Sequence, residues 1–228
     1  MTADGGAGFA GDGPKAQAPA SVAGIVLAAG QSTRMGRNKL LLPLGGTTVL
    51  RRAVETALAA RLDPVLVVLG HESDRIRDEL SGLSCTPVVN EDYLLGMNTS
   101  VRKGFRAVPD DAPAGIVLLG DMPFVVPSMI EELVARHRKG AALVVSTYEG
   151  VVAPPILYGR SLFAELRALT GDGCGKQVVK RHRREAVEVV WPGSALSDLD
   201  FPADFERARA KVGEAGFACD GRSPKGGA

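Results

Sequence analysis

The stretch Leu27 to Lys39, LAAGQSTRMGRNK, gathers glycines, hydroxyls and cations directly after an apolar run. Gly30 and Gly36 permit unusual dihedrals and close backbone approach. The N–H groups of such a loop can surround phosphate oxygens. Ser32 and Thr33 add hydroxyl donors, Arg34 a planar fork and Lys39 a compact charge. The chemistry this suits is the holding of a phosphorylated ligand. An ordinary polar turn is the competing reading, and the density of donors weighs against it. The loop is not a Walker A loop, because G-x-x-x-x-G-K-[ST] does not match. A literal G-x-G-x-x-G at Gly6 to Gly11 follows no strand and is set aside.

Further reactive groups lie at a distance in sequence. Asp121, in Gly120-Asp121-Met122-Pro123, ends the apolar run GIVLL. Taken alone it reads as a cap or turn aspartate. Asp198 and Asp200 stand just before Pro202, a residue tolerated in the first turn of a helix. Asn98 and Ser100, in Leu95 to Ser100, could read the edge of a base, and Asn98 or Thr99 could equally cap a helix. Gly70-His71 follows an apolar run, with His71 reading as a rim residue. The basic run Arg181 to Arg184 reads as a solvated helix end.

These residues need a scaffold, and the apolar pattern supplies one. Strands are expected at Ala23–Ala28, Pro64–Leu69, Cys85–Asn90, Gly115–Leu119 and Ala142–Thr147. Helices are expected between them at Thr48–Ala60, Ser73–Leu80, Thr99–Val108 and Ser128–Arg138. This alternation predicts an α/β fold with a mostly parallel central sheet covered on both faces. In open parallel sheets, ligands sit outside the carboxyl ends of the strands, where the loop and Asp121 would lie. Past residue 150 an extended stretch at Val151–Tyr158 precedes helices at Arg160–Leu169 and Gln177–Arg184. A strand at Ala186–Val190 and a helix at Pro202–Lys211 close the pattern. Residues 1–21 and 213–228, rich in Gly and Ala and without periodicity, read as a disordered lead and a flexible tail. That leaves a single domain over 22–212.

The bulk numbers exclude several classes. With 228 residues and a net charge of +1, no global field points to nucleic acid or an anionic membrane. No apolar run reaches the length of a spanning helix, and the amino terminus has no secretory core. The three cysteines, Cys85, Cys174 and Cys219, form no disulfide framework. A reducing, cytoplasmic setting is the expectation.

LAAGQSTRMGRNKLLLPLGG resembles the signature of the nucleotidyltransferase family that includes molybdenum cofactor cytidylyltransferases and guanylyltransferases. The resemblance runs over roughly residues 23–212. It implies a Rossmann-like three-layer α/β/α fold of the nucleotide-diphospho-sugar transferase type and a magnesium-dependent transfer. By resemblance, Leu27, Ala28, Ala29, Gly30, Ser32, Arg34, Met35, Gly36, Lys39, Gly70, Asn98 and Ser100 contact the nucleotide. Arg34, Lys39 and Asp121 carry catalysis, and Asp121 and Asp200 hold Mg2+. Family members carry D-I-D-T-P or N-I-N-T-P at the second acidic patch. Phe201 replaces the usual Thr here, which puts the local cap in doubt.

PPILY and GDGCGK resemble elements of the cytidylyltransferase branch, which places Pro155, Leu157, Gly171, Gly175 and Lys176 at the acceptor. The implied partners are CTP (or GTP) and a molybdopterin-type acceptor, with a molybdenum hydroxylase apoenzyme as recipient. Rival readings are transfer to another phosphorylated acceptor and a non-catalytic molybdopterin-binding chaperone. A dinucleotide-dependent oxidoreductase is a weaker rival, since the second strand ends in Gly70-His71 rather than an acid.

Overall fold

A computed structural model describes residues 21–196 and 199–214. Asp198, Cys219, the Gly6 to Gly11 match and nearly all of the expected lead and tail lie outside the described residues. The chain runs β1 (Ala23–Ala28), β2 (Pro43–Leu44), β3 (Thr47–Thr48), α1 (Val49–Ala59), β4 (Val65–Leu69), α2 (Ser73–Glu79) and β5 (Thr86–Val89). It continues through α3 (Met97–Ala107), β6 (Ala114–Leu119), α4 (Pro127–Arg138), β7 (Leu143–Tyr148) and β8 (Val151–Gly159). The last elements are α5 (Phe163–Arg167), α6 (Lys176–Arg181), β9 (Val187–Trp191) and α7 (Pro202–Glu214). Among the described residues, no helix is long and apolar enough to cross a membrane.

Seven strands form the central sheet in the order β5-β4-β1-β6-β8-β7-β9. β1 pairs in parallel with β4 and β6, with Val26 opposite Val67 on one side and Leu118 on the other. β8 is antiparallel to both of its neighbours, with Leu157 opposite Ile116 and Val144. β9 pairs in parallel with β7.

Strand residues alternate between two cores, as the two-residue period of a strand requires. Val26 and Ala28 face one side with Leu50 and Val54 of α1, Ile76 of α2 and Ile130 of α4. Ile25 and Leu27 face the other with Val101 and Phe105 of α3, Leu166 of α5 and Val178 of α6. Both faces are therefore covered, which is why β1, β4 and β6 read as unbroken apolar runs. A third, smaller core joins Met35 of the loop after β1, Leu44 of β2, Val49 of α1, and Leu199, Phe205 and Ala208 around α7.

The expected alternation is present, with local differences. α3 begins at Met97, two residues before the expected start, so Asn98 lies within the helix and not at its cap. The helix expected over Arg160–Leu169 is a short 3-10 turn followed by α5. α7 continues to Glu214.

Candidate active site

β1 lies between β4 and β6; the chain leaving its carboxyl end returns in β4, whereas the chain leaving β6 moves the other way along the sheet, past β8 to β7. This is the switch point at which open α/β sheets bind ligands. Gly120 N donates to Leu27 O at 2.9 Å and locks the two strand ends together. A cleft of about 510 Å3 opens there, lined by the β1 loop, Asp121 and Asp200.

The loop has a specific shape. Ser32 lies in the left-handed region at φ 53 and starts a 3-10 turn over Thr33–Met35. Gly36 ends that turn at φ 65, a conformation that glycine takes without strain. Met35 turns its side chain into the third core and anchors the turn. The amides of Gly30, Gln31 and Ser32 meet no hydrogen-bond acceptor among the described residues, and all three residues line the cleft. Successive unpaired amides on a loop that lines one cleft are suited to anionic oxygens.

Below them lies a cluster of four charges. Lys39 Nζ is ion-paired with Asp121 and, at 2.9 Å, with Asp200. Arg34 reaches the other oxygen of Asp200 at 3.0 Å. Burial alone would lower the Lys39 pKa, but the charge of Asp121 and the hydrogen bonds to both carboxylates outweigh it and raise the value above 10.5. The Lys39 hydrogen bond, opposed by partial burial and helped by the charges of Lys39 and Arg34, holds Asp200 below 3.8. Lys39 and Asp200 therefore both carry charge throughout the neutral range.

Asp200 is fixed by α7. The Asp204 carboxylate accepts from Asp200 N at 3.1 Å and from Phe201 N at 2.7 Å, capping the helix from its first turn. The cap left in doubt by Phe201 is thus supplied by Asp204. The Phe201 ring instead lies 5.7 Å from the Arg34 guanidinium.

Two carboxylates that share one ammonium form an oxygen-only donor set. Such a set fits a hard divalent cation, which is held by one or two carboxylates and takes its other ligands from water and phosphate. No group of three metal-ligating side chains occurs among the described residues, so the protein alone would leave most of the coordination sphere to substrate and solvent.

The opposite wall is made by Tyr93, Leu94, Gly96, Met97 and Asp172. Asn98, fully buried, holds it in place. Its amide nitrogen donates to Thr170 O at 2.9 Å and Asp172 O at 2.8 Å, and its oxygen accepts from Gly175 N at 2.9 Å. Asp172 in turn accepts from Met97 N at 3.1 Å.

Of the expected nucleotide contacts, Leu27, Ala28, Ala29, Gly30, Ser32, Arg34, Lys39 and Ser100 line the cleft, together with Asp121 and Asp200. Several others take different roles. Asn98 spends its amide on the 170–175 loop and does not face the cleft. Gly70 lies under Tyr93, where a Cβ would come within 2.7 Å of that ring, so close packing demands the glycine. Met35 is a core anchor, and Gly36 faces a neighbouring groove.

The acceptor set divides as well. Leu157 is fully buried in the sheet and Pro155 is buried beside it, and neither lines the cleft. Gly171 and Gly175 shape the far loop, while Lys176 is exposed at the start of α6, outside the cleft lining. Tyr93 and Leu94 carry no signal in the sequence, whereas Met97 lies in the Leu95 to Ser100 segment read for Asn98 and Ser100, and Asp172 sits inside the GDGCGK run read for its glycines. Arg181 and Arg183 are paired with Glu165 and Glu188, as a solvated helix end would be.

Comparison with known proteins agrees with this geometry. Residues 24–187 match the model of the MobA-like NTP transferase domain. The purine catabolism protein PucB of Bacillus subtilis is 33% identical over 196 residues, covering 82% of this chain and 95% of that protein. The crystal structure of Rv0371c from Mycobacterium tuberculosis is similar at a TM-score of 0.76 and 29% identity, covering 84% of this chain and 99% of that one. A structure of Rv0371c in complex with manganese is similar at a TM-score of 0.72 and 29% identity, covering 83% and 98%. The chain belongs to the family of MobA-like NTP transferase domains and is a nucleotidyltransferase.

Proposed function

We propose that this nucleotidyltransferase is a magnesium-dependent cytidylyltransferase acting on a molybdopterin-type acceptor in the cytoplasm. An oxygen of the acceptor phosphate bonds to the α-phosphorus of CTP. The bond from that phosphorus to the α–β bridging oxygen breaks, and its electron pair leaves with pyrophosphate. The observation that carries this reading is the placement of Lys39 between Asp121 and Asp200, with the unpaired amides of Gly30 to Ser32 in the same cleft.

The chain needs no nucleophilic side chain. A phosphate monoester carries roughly −1.5 to −2 charge at neutral pH and attacks without a general base. The work of the protein is alignment and charge neutralisation. The loop amides hold phosphate oxygens, Arg34 meets the leaving pyrophosphate, and Lys39 supplies a fixed positive charge at the reacting phosphate. Asp121 and Asp200 would hold the magnesium ion, which supplies Lewis-acid neutralisation of phosphate charge when bound.

The manganese complex of Rv0371c supports a divalent cation. Exposed apolar surface on Leu94 and Met97 at the cleft suits a flat heteroaromatic ring. The cytosine branch and the pterin acceptor rest on resemblance: LAAG rather than LAGG, KLLLP after the loop, and the PPILYGR and GDGCGK elements favour the cytosine branch over the guanine branch. A panel of CTP and GTP against molybdopterin and sugar phosphates, with products identified by mass, tests the choice. Transfer from CTP to molybdopterin is expected. Transfer only from GTP, or only to a different phosphorylated acceptor, would replace the finer reading while leaving the nucleotidyl transfer in place.

A further inference from the structure

Lys39 is the central cation of the cleft, yet it stands on a turn of only three residues, Lys39–Leu41. So short a 3-10 turn has little stability of its own. Two side chains grip it. Ser32 Oγ accepts from Lys39 N at 3.2 Å, and Asn38 Oδ1 accepts from Leu40 N at 3.1 Å, capping the turn. Asn38 is nearly buried, at 8% exposure, and its remaining donor is also engaged: Nδ2 donates to the Glu72 carboxylate at 2.9 Å.

Glu72 is well placed to receive it. It is the residue before α2, whose Ile76 is fully buried in the main core. Its backbone is left-handed, at φ 52, a conformation that a non-glycine residue holds only where its surroundings impose it. Arg75 pairs with its other carboxylate oxygen. Neither Asn38 nor Glu72 lines the cleft that holds Lys39; both line the groove on the far side of the loop.

We propose that Asn38 and Glu72 are positioning residues, whose mutual hydrogen bond ties the Lys39 turn to α2 and so fixes where the Lys39 ammonium meets phosphate. This rests on the reading of Lys39 as a phosphate-binding cation. The loop carrying the reactive charge is thereby referenced to a packed helix, as precise placement of a functional group requires.

The test is calorimetric titration with CTP and GTP in the presence of magnesium. Asn38→Asp keeps the cap on Leu40 N but sets a second carboxylate against Glu72, and should weaken nucleotide binding about tenfold. Adding Glu72→Gln restores a hydrogen bond of reversed polarity, in which the introduced amide donates to the introduced carboxylate, and should recover most of that loss. In a Lys39→Met background, Asn38→Asp should cost nothing further. Failure of Glu72→Gln to recover binding, or an equal loss from Asn38→Asp with and without Lys39, would overturn the positioning role. If Lys39→Met alone binds nucleotide as tightly as the wild type, the phosphate role of Lys39 fails and the clamp has nothing to position. That outcome is distinct from failure of the clamp itself.

Discussion

The two walls of the cleft are built by opposite means. The phosphate wall is held by charge: Arg34, Lys39, Asp121 and Asp200 pair across the cluster, drawn from the β1 loop, the end of β6 and the start of α7. The far wall is organised chiefly by a neutral, buried amide, Asn98, which bonds three times to a loop more than seventy residues away, with Asp172 and Arg102 adding bonds at its more exposed edge. A ligand of several negative charges needs countercharges that can exchange partners when it arrives. A wall that recognises shape needs fixed position and gains nothing from mobile charge. The contrast predicts that substitutions on the first wall change rate, whereas those on the second change stability and acceptor binding.

The largest effect should come from the charged wall. Asp121→Ala removes a carboxylate outside the three hydrophobic cores but paired with the largely buried Lys39, so pyrophosphate release should fall at least about a hundredfold with the fold intact and a smaller loss of thermal stability. A fully active variant would remove Asp121 from the centre and erase the contrast.

Asn98→Ala should behave in the reverse way. It leaves one buried amide and two part-buried carbonyls without their partner, and should cost about 2 kcal/mol in denaturant unfolding. Acceptor KM should rise more than nucleotide KM. Equal rises in both would mean that the far wall is not a separate element.

A smaller effect concerns pH. Asp200 has a folded pKa below its ordinary 3.8, so its contribution is present above that value and is lost as pH falls through the lower folded one. Lys39 is raised above 10.5, so its contribution is present below that value and is lost as pH rises beyond it. The pair should therefore stabilise the fold across the whole interval, and Asp200→Asn should flatten the acid limb of a stability profile. An unchanged acid limb would show the cluster to be too solvated to matter.

The smallest effect is at Phe201. Its ring lies against an exposed Arg34, so Phe201→Ala should alter nucleotide affinity by only about two- to fivefold, read by the same titration.

What was legible in the sequence follows the same division. β1, β4 and β6 are buried on both faces, so their apolar runs were plain, and the loop after β1 carries its donors in one contiguous stretch. Asp121, one residue past such a run, reads alone as a cap or turn aspartate, and it and Asp200 stand out only through the resemblance of their surroundings. The antiparallel course of β8 was not legible, because VVAPPILYG carries apolar character but no direction. The role of Asn98 was hidden for a different reason. Asparagine near a helix start signals a local cap, and here its partners come from a distant loop. The depth of Leu157 was not legible either: a motif fixes neighbours along the chain and does not reveal which of them face into the sheet. The Asn38–Glu72 bond joins residues 34 apart whose types carry no special mark.

The most direct measurement of the central claim is the stoichiometry of pyrophosphate release by the wild-type chain given CTP and molybdopterin, with and without magnesium. One pyrophosphate per nucleotide-linked acceptor, lost on chelation of the metal, is the predicted result. Tight pterin binding with no pyrophosphate from CTP or GTP at any magnesium concentration would contradict it and make the chain a carrier of the acceptor.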